Sequence, residues 1–533
     1  MERKTDEQPD ESYDVVVVGG GAAGLSGAVA LARSRRSVLV IDAGDPRNAA
    51  ASHVHQFLTR DGTPPARFLA LGRDEVHRYG GRVENGLVTG IGRDGDRFRV
   101  EIGGRAVTAR RILLATGLRD ELPDVPGLAE RWGVDVLHCP YCHGWEVRDQ
   151  RIGVLADSAA AIHQVLLFRQ LSARVMLLQH SAPELSDAVR EQLRALGVVL
   201  VEGRVAEVES DESGLTGVRL ADGTRVALDA LVVAPRFTAR TELAESLGLA
   251  PAEVQSAGQV IGTRIEAEET GATGVPGVWV AGNLAAVQAQ VVSCAAAGLS
   301  AGASINADLV MEDAARAVEV AREHGEQAWD ERYRDYGHKH EHGHHWSGEP
   351  NAVLVAEAAD LAPGTALDAG AGEGGDAVWL AARGWKVTAA DLSSVALQRG
   401  RQRAEELGLE VTWLHADLAL TPIQGVYDLV TSHYMHVPPA ARESVHRNLA
   451  AAVAPGGTLL IVGHDPSDLR TTVPRPDLTE FGWSAGDLAA SLGEGWIVEV
   501  AAARPREVAD PEGRKTVIHD AVLRARREPR AGR

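Results

Sequence analysis

The chain has 533 residues, a formal net charge of −20 and an apolar content of 45%, with aromatics at only 4%. Its length exceeds one ordinary domain and predicts about three or four, with cores built from Ala, Val and Leu. The acidic balance excludes a nucleic-acid partner and an anionic membrane surface. No run of about 18 uninterrupted apolar residues reads as a membrane span. The short charged start, MERKTDEQPDESYD, lacks the apolar core of a signal peptide, so the expected location is the cytoplasm.

Residues 14–42 read as strand, glycine turn, helix and strand: DVVVV, GGGAAG, LSGAVALARSRR, SVLVID. Gly19, Gly21 and Gly24 fit G-x-G-x-x-G directly after a strand and at the start of a helix. The first glycine makes the tight turn, the second lets a pyrophosphate approach the backbone, and the third lets the helix pack on the strand. Asp42, at the end of the second strand, is placed to accept from a ribose hydroxyl. The competing reading is a glycine-rich turn in an ordinary parallel sheet. Two later segments point to FAD: RILLATG (111–117), with Thr116 and Gly117 at its end, and GVWVAGN (277–283), ending in Gly282 and Asn283. They lie far from the first loop, so the flavin domain is expected to be split into 1–120 and 238–310, with a module at 121–237 inserted.

That module opens near HCPYCHGWE (138–146), which holds Cys139 and Cys142, two of the three cysteines. A C-x-x-C can close into a disulfide, exchange with a partner, or form half of a zinc site. No second C-x-x-C completes a zinc cage, and in a reducing cytoplasm the redox reading is the stronger one. The module then repeats a nucleotide-domain plan, but its glycine loop is degraded to Ala156-Asp157-Ser158, and its next strand ends in Gln179-His180 without an arginine pair. An aspartate there would repel a pyrophosphate. An NAD(P)-type fold is expected, with NADPH uncertain.

Together, Gly19–Gly24, Ala115-Thr116-Gly117, the C-x-x-C and Gly282-Asn283 resemble the bacterial thioredoxin reductase family of FAD disulfide oxidoreductases over about residues 13–310. The resemblance implies Cys142 beside the flavin and Cys139 exchanging with substrate. It departs from the family at His143, where an aspartate is usual, at Gly282-Asn283 in place of Gly-Asp, and at the degraded loop. The C-P-Y-C-H-G form is similar also to flavin-dependent dithiol oxidases that use oxygen. His143 is read as a proton shuttle beside Cys142, its competing reading being a turn histidine. His138, and His53 and His55 in SHVHQFLTRDGTPP, are read as structural or loop residues, and Cys294 as a small core residue.

Residues 311–348 change to a charged, helix-like run that leads into His338, His340, His342, His344 and His345, the tract being read as a solvated linker that offers metal ligands without fixed geometry. From 349 to 533 a second α/β pattern follows. TALDAGAGEGG (365–375) gives a strand and a glycine loop, with Asp368, Gly370, Gly372 and Gly374. Strands KVTAAD, VTWLHAD, YDLVTSHY and GTLLIVGHD come next, then a terminal pair. The expectation is an open, doubly wound sheet with its ligand at the strands' carboxyl ends. This stretch, with WDERY (329–333) and WSGEPN (346–351), resembles class I S-adenosylmethionine methyltransferases of the tellurite and thiopurine branch. The resemblance implies Asp391 on the ribose and Asp417 near the adenine amine. His433, Tyr434 and His436 follow the fourth strand, where substrate enters.

The whole chain reads as a bifunctional enzyme, an FAD dithiol/disulfide oxidoreductase fused to a small-molecule methyltransferase, both acting on one thiol or chalcogen compound. A thioredoxin-like protein is a further partner, and a homodimer is expected. The alternatives are an oxygen-using dithiol oxidase with a methyltransferase, or a metal- or redox-sensing protein.

Overall fold

The computed structural model describes residues 11–158, 160–256, 258–339, 348–468, 482–509 and 514–529, the side chains of 336–339, 440 and 509 excepted. His340, His342, His344 and His345 lie outside the described residues, as does the side chain of His338. The chain divides into two compact units, Met1–Glu312 and Asp313–Arg533.

In the first unit, Glu11–Val18 forms the centre of a parallel sheet because its valines are buried on both faces, Val15, Val16 and Val17 completely. Val38–Asp42 and then Arg82–Asn85 extend the sheet on one side, and Arg105–Leu114 on the other. The split flavin-type domain rejoins here: Val278–Val280 pairs in parallel with Arg105–Leu114, Val278 opposite Ile112. The helices Ala22–Arg33 and Val291–His324 approach backbone to backbone. A Cβ on Gly298 would collide with the Ala23 carbonyl, and one on Gly302 would lie 2.7 Å from the Gly27 carbonyl. Apart from the expectation, Val291–Asp335 is long and apolar enough by composition to cross a membrane. Its buried residues, Cys294, Ala301, Ile305 and Leu309, supply core packing instead.

Leu118–Glu121 leaves this domain and Arg236–Ala239 returns to it, the two strands paired antiparallel with Phe237 opposite Asp120. Between them lies a five-stranded parallel sheet in the order Val199–Val201, Val175–Leu178, Ile152–Leu155, Ala230–Val232, Val136–Leu137. Two antiparallel additions were not expected: a three-stranded sheet over Val205–Ala227, and the hairpin Pro251–Ser256 with Gln259–Ile265, which joins the connecting strands in a four-stranded sheet.

The second unit holds a seven-stranded sheet ordered Val411–His415, Lys386–Asp391, Thr365–Ala369, Tyr427–His433, Val453–His464, Lys515–Arg527, Trp496–Ala509. The first five strands run parallel, Lys515–Arg527 is antiparallel to Val453–His464, and Trp496–Ala509 is antiparallel to Lys515–Arg527. The charged run ahead of the histidine tract is helical, as its helix-like pattern suggested, in Val291–His324 and Glu326–Lys339, and the division between the two units falls at Asp313. Asp330, 6% exposed, accepts from Ser393 Oγ at 2.6 Å and from the Val395 N–H at 3.2 Å, pinning Glu326–Lys339 to the sheet's second helix.

Candidate functional sites

The Cys139–Cys142 pair is a disulfide with Cα atoms 5.3 Å apart. Cys139 caps the one-turn helix Pro140–His143, its Sγ accepting from the Cys142 N–H at 3.2 Å, and Pro140 pre-sets the first helical φ. Gly144 closes the turn against Leu171 and the Pro140 carbonyl, where no Cβ fits. Both cysteines border a cavity of about 1190 Å³, which also takes in Gly19, Gly21, Asp42, Thr116, Gly117, Gly282, Asn283 and His143. Gly24 stands outside the lining; it lets the helix sit on the Gly19 carbonyl.

The fit to FAD rests on this cradle. A Cβ on Gly20 would lie 2.5 Å from the Asp42 carboxylate, and Gly21 has open space in front of it. Asp42 is oriented by the Gly44 N–H at 3.2 Å and by Arg73 Nη2 at 2.7 Å. Thr116 Oγ1 donates to the Arg240 carbonyl at 2.9 Å. The Asn283 amide donates to the Ala286 and Ala289 carbonyls at 3.0 and 2.9 Å, so its side chain shapes the turn that borders the cavity.

Burial holds His143 below the usual imidazole range, Glu146 opposes that shift, and His55 and His53 add to it, so the ring is neutral at pH 7 and able to accept a proton. His138 is anchored instead: its Nδ1 lies 3.0 Å from the Val233 carbonyl and 3.2 Å from Gln164 Nε2. Cys294 is buried and its thiol is pushed up to about 11 by desolvation, which agrees with a core role. In the inserted module, Asp157 and Ser158 line the cavity. His180 is turned inward, its Nδ1 accepting from the Val205 N–H at 3.1 Å.

Several contacts around this site had no sequence signal. Arg47 grips Asp120 through two hydrogen bonds of 2.7 and 2.6 Å. Gln56 Nε2 donates to the Tyr141 carbonyl at 2.7 Å, and His55 Nε2 lies 3.3 Å from Glu146 Oε1. These join residues 73 or more positions apart, which no local pattern encodes.

In the second unit, Gly370, Gly372 and Gly374 all adopt left-handed backbone, with φ of +73°, +51° and +78°, conformations that favour glycine. Asp391 accepts from the Gly372 N–H and the Ser393 N–H, both at 2.8 Å, fixing the loop on the second strand. Asp417 caps its own turn, accepting from the Ala419 N–H at 2.9 Å. Asp368 is 1% exposed and its Oδ2 has no hydrogen-bond partner. Burial, with Asp376 and Asp391 nearby, raises its carboxyl well above the usual range. Asp368, Asp376 and His433 bring one ligand atom each within 4.8 Å of one another. A buried, unpartnered carboxylate oxygen beside a glycine loop is a site deficient in positive charge, and it fits the ammonium of S-adenosylmethionine.

The residues after the fourth strand form an aromatic row. Tyr434, at φ +51°, tilts on His464 with ring centres 5.0 Å apart; His464 stacks on His436 at 5.5 Å, and His436 on Trp329 at 5.9 Å. Burial lowers His436 to about 4. His433 faces Asp376 and Thr431 rather than this row.

Residues 13–301, more than half of the chain, match the family model for pyridine nucleotide-disulphide oxidoreductase, and residues 366–457 match a methyltransferase domain model. The chain is 32% identical over 312 residues to thioredoxin reductase sirT of Leptosphaeria maculans, covering 55% of this chain and 93% of that protein. It is 34% identical over 250 residues to thioredoxin reductase tcpT of Claviceps purpurea (strain 20.1), covering 44% and 77%. The crystal structure of HlmI superposes with a TM-score of 0.54 at 45% identity, covering 58% of this chain and 96% of that one. These matches imply FAD in the first unit and S-adenosylmethionine in the second, in agreement with both cradles. The chain therefore belongs to the pyridine nucleotide-disulphide oxidoreductase family, as a thioredoxin reductase-like enzyme joined to a class I methyltransferase domain.

Proposed function

We propose that the first unit exchanges disulfides with a small dithiol and that the second methylates a sulfur of the same compound. The observation that carries the first half is the Cys139–Cys142 disulfide opening on a cavity of about 1190 Å³ continuous with the glycine loop. A substrate thiolate attacks Cys139 Sγ, the Cys139–Cys142 bond breaks, and Cys142 Sγ leaves as a thiolate. The second substrate thiolate then attacks its own mixed disulfide and releases Cys139. The products are a substrate disulfide, an enzyme dithiolate and two protons. His143, neutral and beside Cys142, takes the first proton. Gly19, Gly21, Gly24, Asp42, Thr116, Gly117, Gly282 and Asn283 would hold FAD, which when bound supplies an acceptor for the dithiol's electron pair.

The small dithiol, rather than NADPH, is taken as the electron source, and oxygen as the final acceptor. Asp157 supports this by setting a carboxylate where a nicotinamide pyrophosphate would lie, without the glycines that let it approach. A thioredoxin-like protein as exchange partner is the second reading, favoured by relatives that carry the thioredoxin reductase name. A cytoplasmic location, supported by the low cysteine count, and a homodimer complete the proposal.

In the second unit, Gly370, Gly372 and Gly374 shape the cradle, Asp368 Oδ2 takes the ammonium, Asp391 the ribose and Asp417 the adenine side. Methyl transfer to a thiolate needs alignment more than a base, which suits the aromatic row of Trp329, His436 and His464. The fusion supports a common substrate, because tethering raises the local concentration of a released dithiol. The test offers the full chain a panel of small dithiols with and without S-adenosylmethionine. Compounds that are both oxidised and S-methylated are expected, with Cys139→Ser abolishing oxidation alone and Asp391→Ala methylation alone. Two non-overlapping sets of compounds would overturn the shared-substrate reading.

A further inference from the structure

The first turn of the helix Gly375–Ala382 and the ends of the strands Thr365–Ala369 and Tyr427–His433 bring three ionisable side chains together beside the methyltransferase glycine loop. Asp368, Asp376 and His433 each offer one ligand atom, and these atoms lie within 4.8 Å of one another. Asp368 is 1% exposed, and the side chains of His433 and Asp376 are 4% and 15% exposed. Asp391 adds a third carboxylate, close enough to help raise the Asp368 carboxyl. Among the described residues no lysine or arginine pairs with Asp368, Asp376 or Asp391, and Asp368 Oδ2 has no hydrogen-bond partner. Carboxylates this far from water pair with a cation or coordinate one.

The side chains are also braced as ligands are. Asp376 Oδ1 accepts from the Asn351 N–H at 2.6 Å, which leaves Oδ2 for His433 Nδ1 at 2.7 Å. Neighbouring ligands of an octahedral ion, each about 2.1 Å from it, stand about 3 Å apart, close to that separation. Thr431 Oγ1 lies 3.1 Å from His433 Nε2 and 3.3 Å from Nδ1, so the ring keeps a partner when Nδ1 gives its lone pair to an ion. Two carboxylates and one imidazole suit a divalent first-row ion such as Mn²⁺ and not a thiolate-seeking one.

We propose that Asp368, Asp376 and His433 form a divalent-cation site that takes an ion such as Mn²⁺ while the cradle lacks S-adenosylmethionine and releases it when the cofactor's ammonium enters. Both cations answer the same deficit of positive charge and both need Asp368 Oδ2, so each excludes the other. The inference rests on the assignment of this cradle to S-adenosylmethionine and goes beyond it. The ion takes no part in methyl transfer; it sets how much of the cradle is open to the cofactor. His433 tells the two ligands apart, because its ring ligates a metal through a lone pair, whereas the ammonium is held by Asp368.

The experiment titrates the full chain, freed of S-adenosylmethionine, with manganese chloride and follows unbound Mn²⁺ by electron paramagnetic resonance. Mn²⁺ is the probe because the dithiol and the histidine tract hold it weakly. One ion per chain is expected to be displaced by S-adenosylmethionine. With Mn²⁺ at ten times its dissociation constant, the apparent dissociation constant of S-adenosylmethionine should rise about tenfold. His433→Asn should weaken Mn²⁺ at least about tenfold and S-adenosylmethionine less than about threefold, the retained cofactor binding showing that the variant is folded. If that variant loses both ligands, the competition in the wild-type chain decides. No displaceable ion, cofactor affinity unchanged by Mn²⁺, or wild-type Mn²⁺ affinity in His433→Asn would overturn the cation site. Mn²⁺ bound through His433 in a chain that takes no S-adenosylmethionine would sink the assignment of the cradle instead.

Discussion

His433 Nδ1 lies 2.7 Å from Asp376 Oδ2, joining the end of the fourth strand to the first turn of the helix that follows the methyltransferase glycine loop. Asp376 Oδ1 also accepts from the Asn351 N–H at 2.6 Å, so one carboxylate fixes three segments around the cradle.

Removing that carboxylate should therefore loosen the cradle without touching the methyl group. Asp376→Ala is expected to weaken S-adenosylmethionine binding about tenfold, the loss of one charge-assisted hydrogen bond net of solvation. Calorimetric titration checks it, and the flavin spectrum of the first unit should stay unchanged.

Gly298 gives a packing test in the first unit. Gly298→Ala places a methyl against the Ala23 carbonyl, and overpacking of this kind costs about 1–3 kcal/mol. Because Ala23 lies in the first turn of the helix that opens the flavin cradle, the variant should lose bound flavin as well as unfold at lower temperature. Both are read by following flavin fluorescence during thermal unfolding.

Acid should weaken the second unit through its buried histidines. Burial lowers both His436 and His446 to about 4, against about 6.5 in the unfolded chain. Between those values the unfolded state binds more protons, so stability rises with pH and is lost as pH falls from 6.5 toward 4, by about 2 kcal/mol per histidine at pH 5. Asp368 and Asp391, whose carboxyls are raised by burial, act with the opposite sign. The measurement is therefore a comparison of urea unfolding at pH 7 and pH 5 between the native chain and His446→Gln. The variant's stability should fall less on acidification.

Much of this architecture was legible because it rests on short-range rules. The valine run before Gly19 and the strand before Gly370 are buried parallel strands, and glycine turns mark where a ligand meets a helix. The C-x-x-C by itself left disulfide, exchange and zinc readings open, and the fold pairs Cys139 with Cys142 as a disulfide. What escaped the sequence was non-local or mixed in pattern. Val205–Asp211 alternates weakly and carries two glutamates and an aspartate, so its strand offers little sequence signal. The charges of Glu326–Lys339 hide its packed side, on which Asp330 and Tyr333 are buried. His55 and Glu146 are 91 positions apart, and the fold alone brings them together.

Electron entry from a small dithiol through Cys139 and Cys142 is the step on which the proposed exchange stands. Its most direct test mixes the flavin-loaded chain anaerobically with dithiothreitol in one syringe shot and NADPH in another, and follows flavin absorbance. Rapid bleaching by the dithiol, loss of that bleaching in Cys142→Ser, and no bleaching by NADPH are expected. Rapid bleaching by NADPH with none by the dithiol would contradict it.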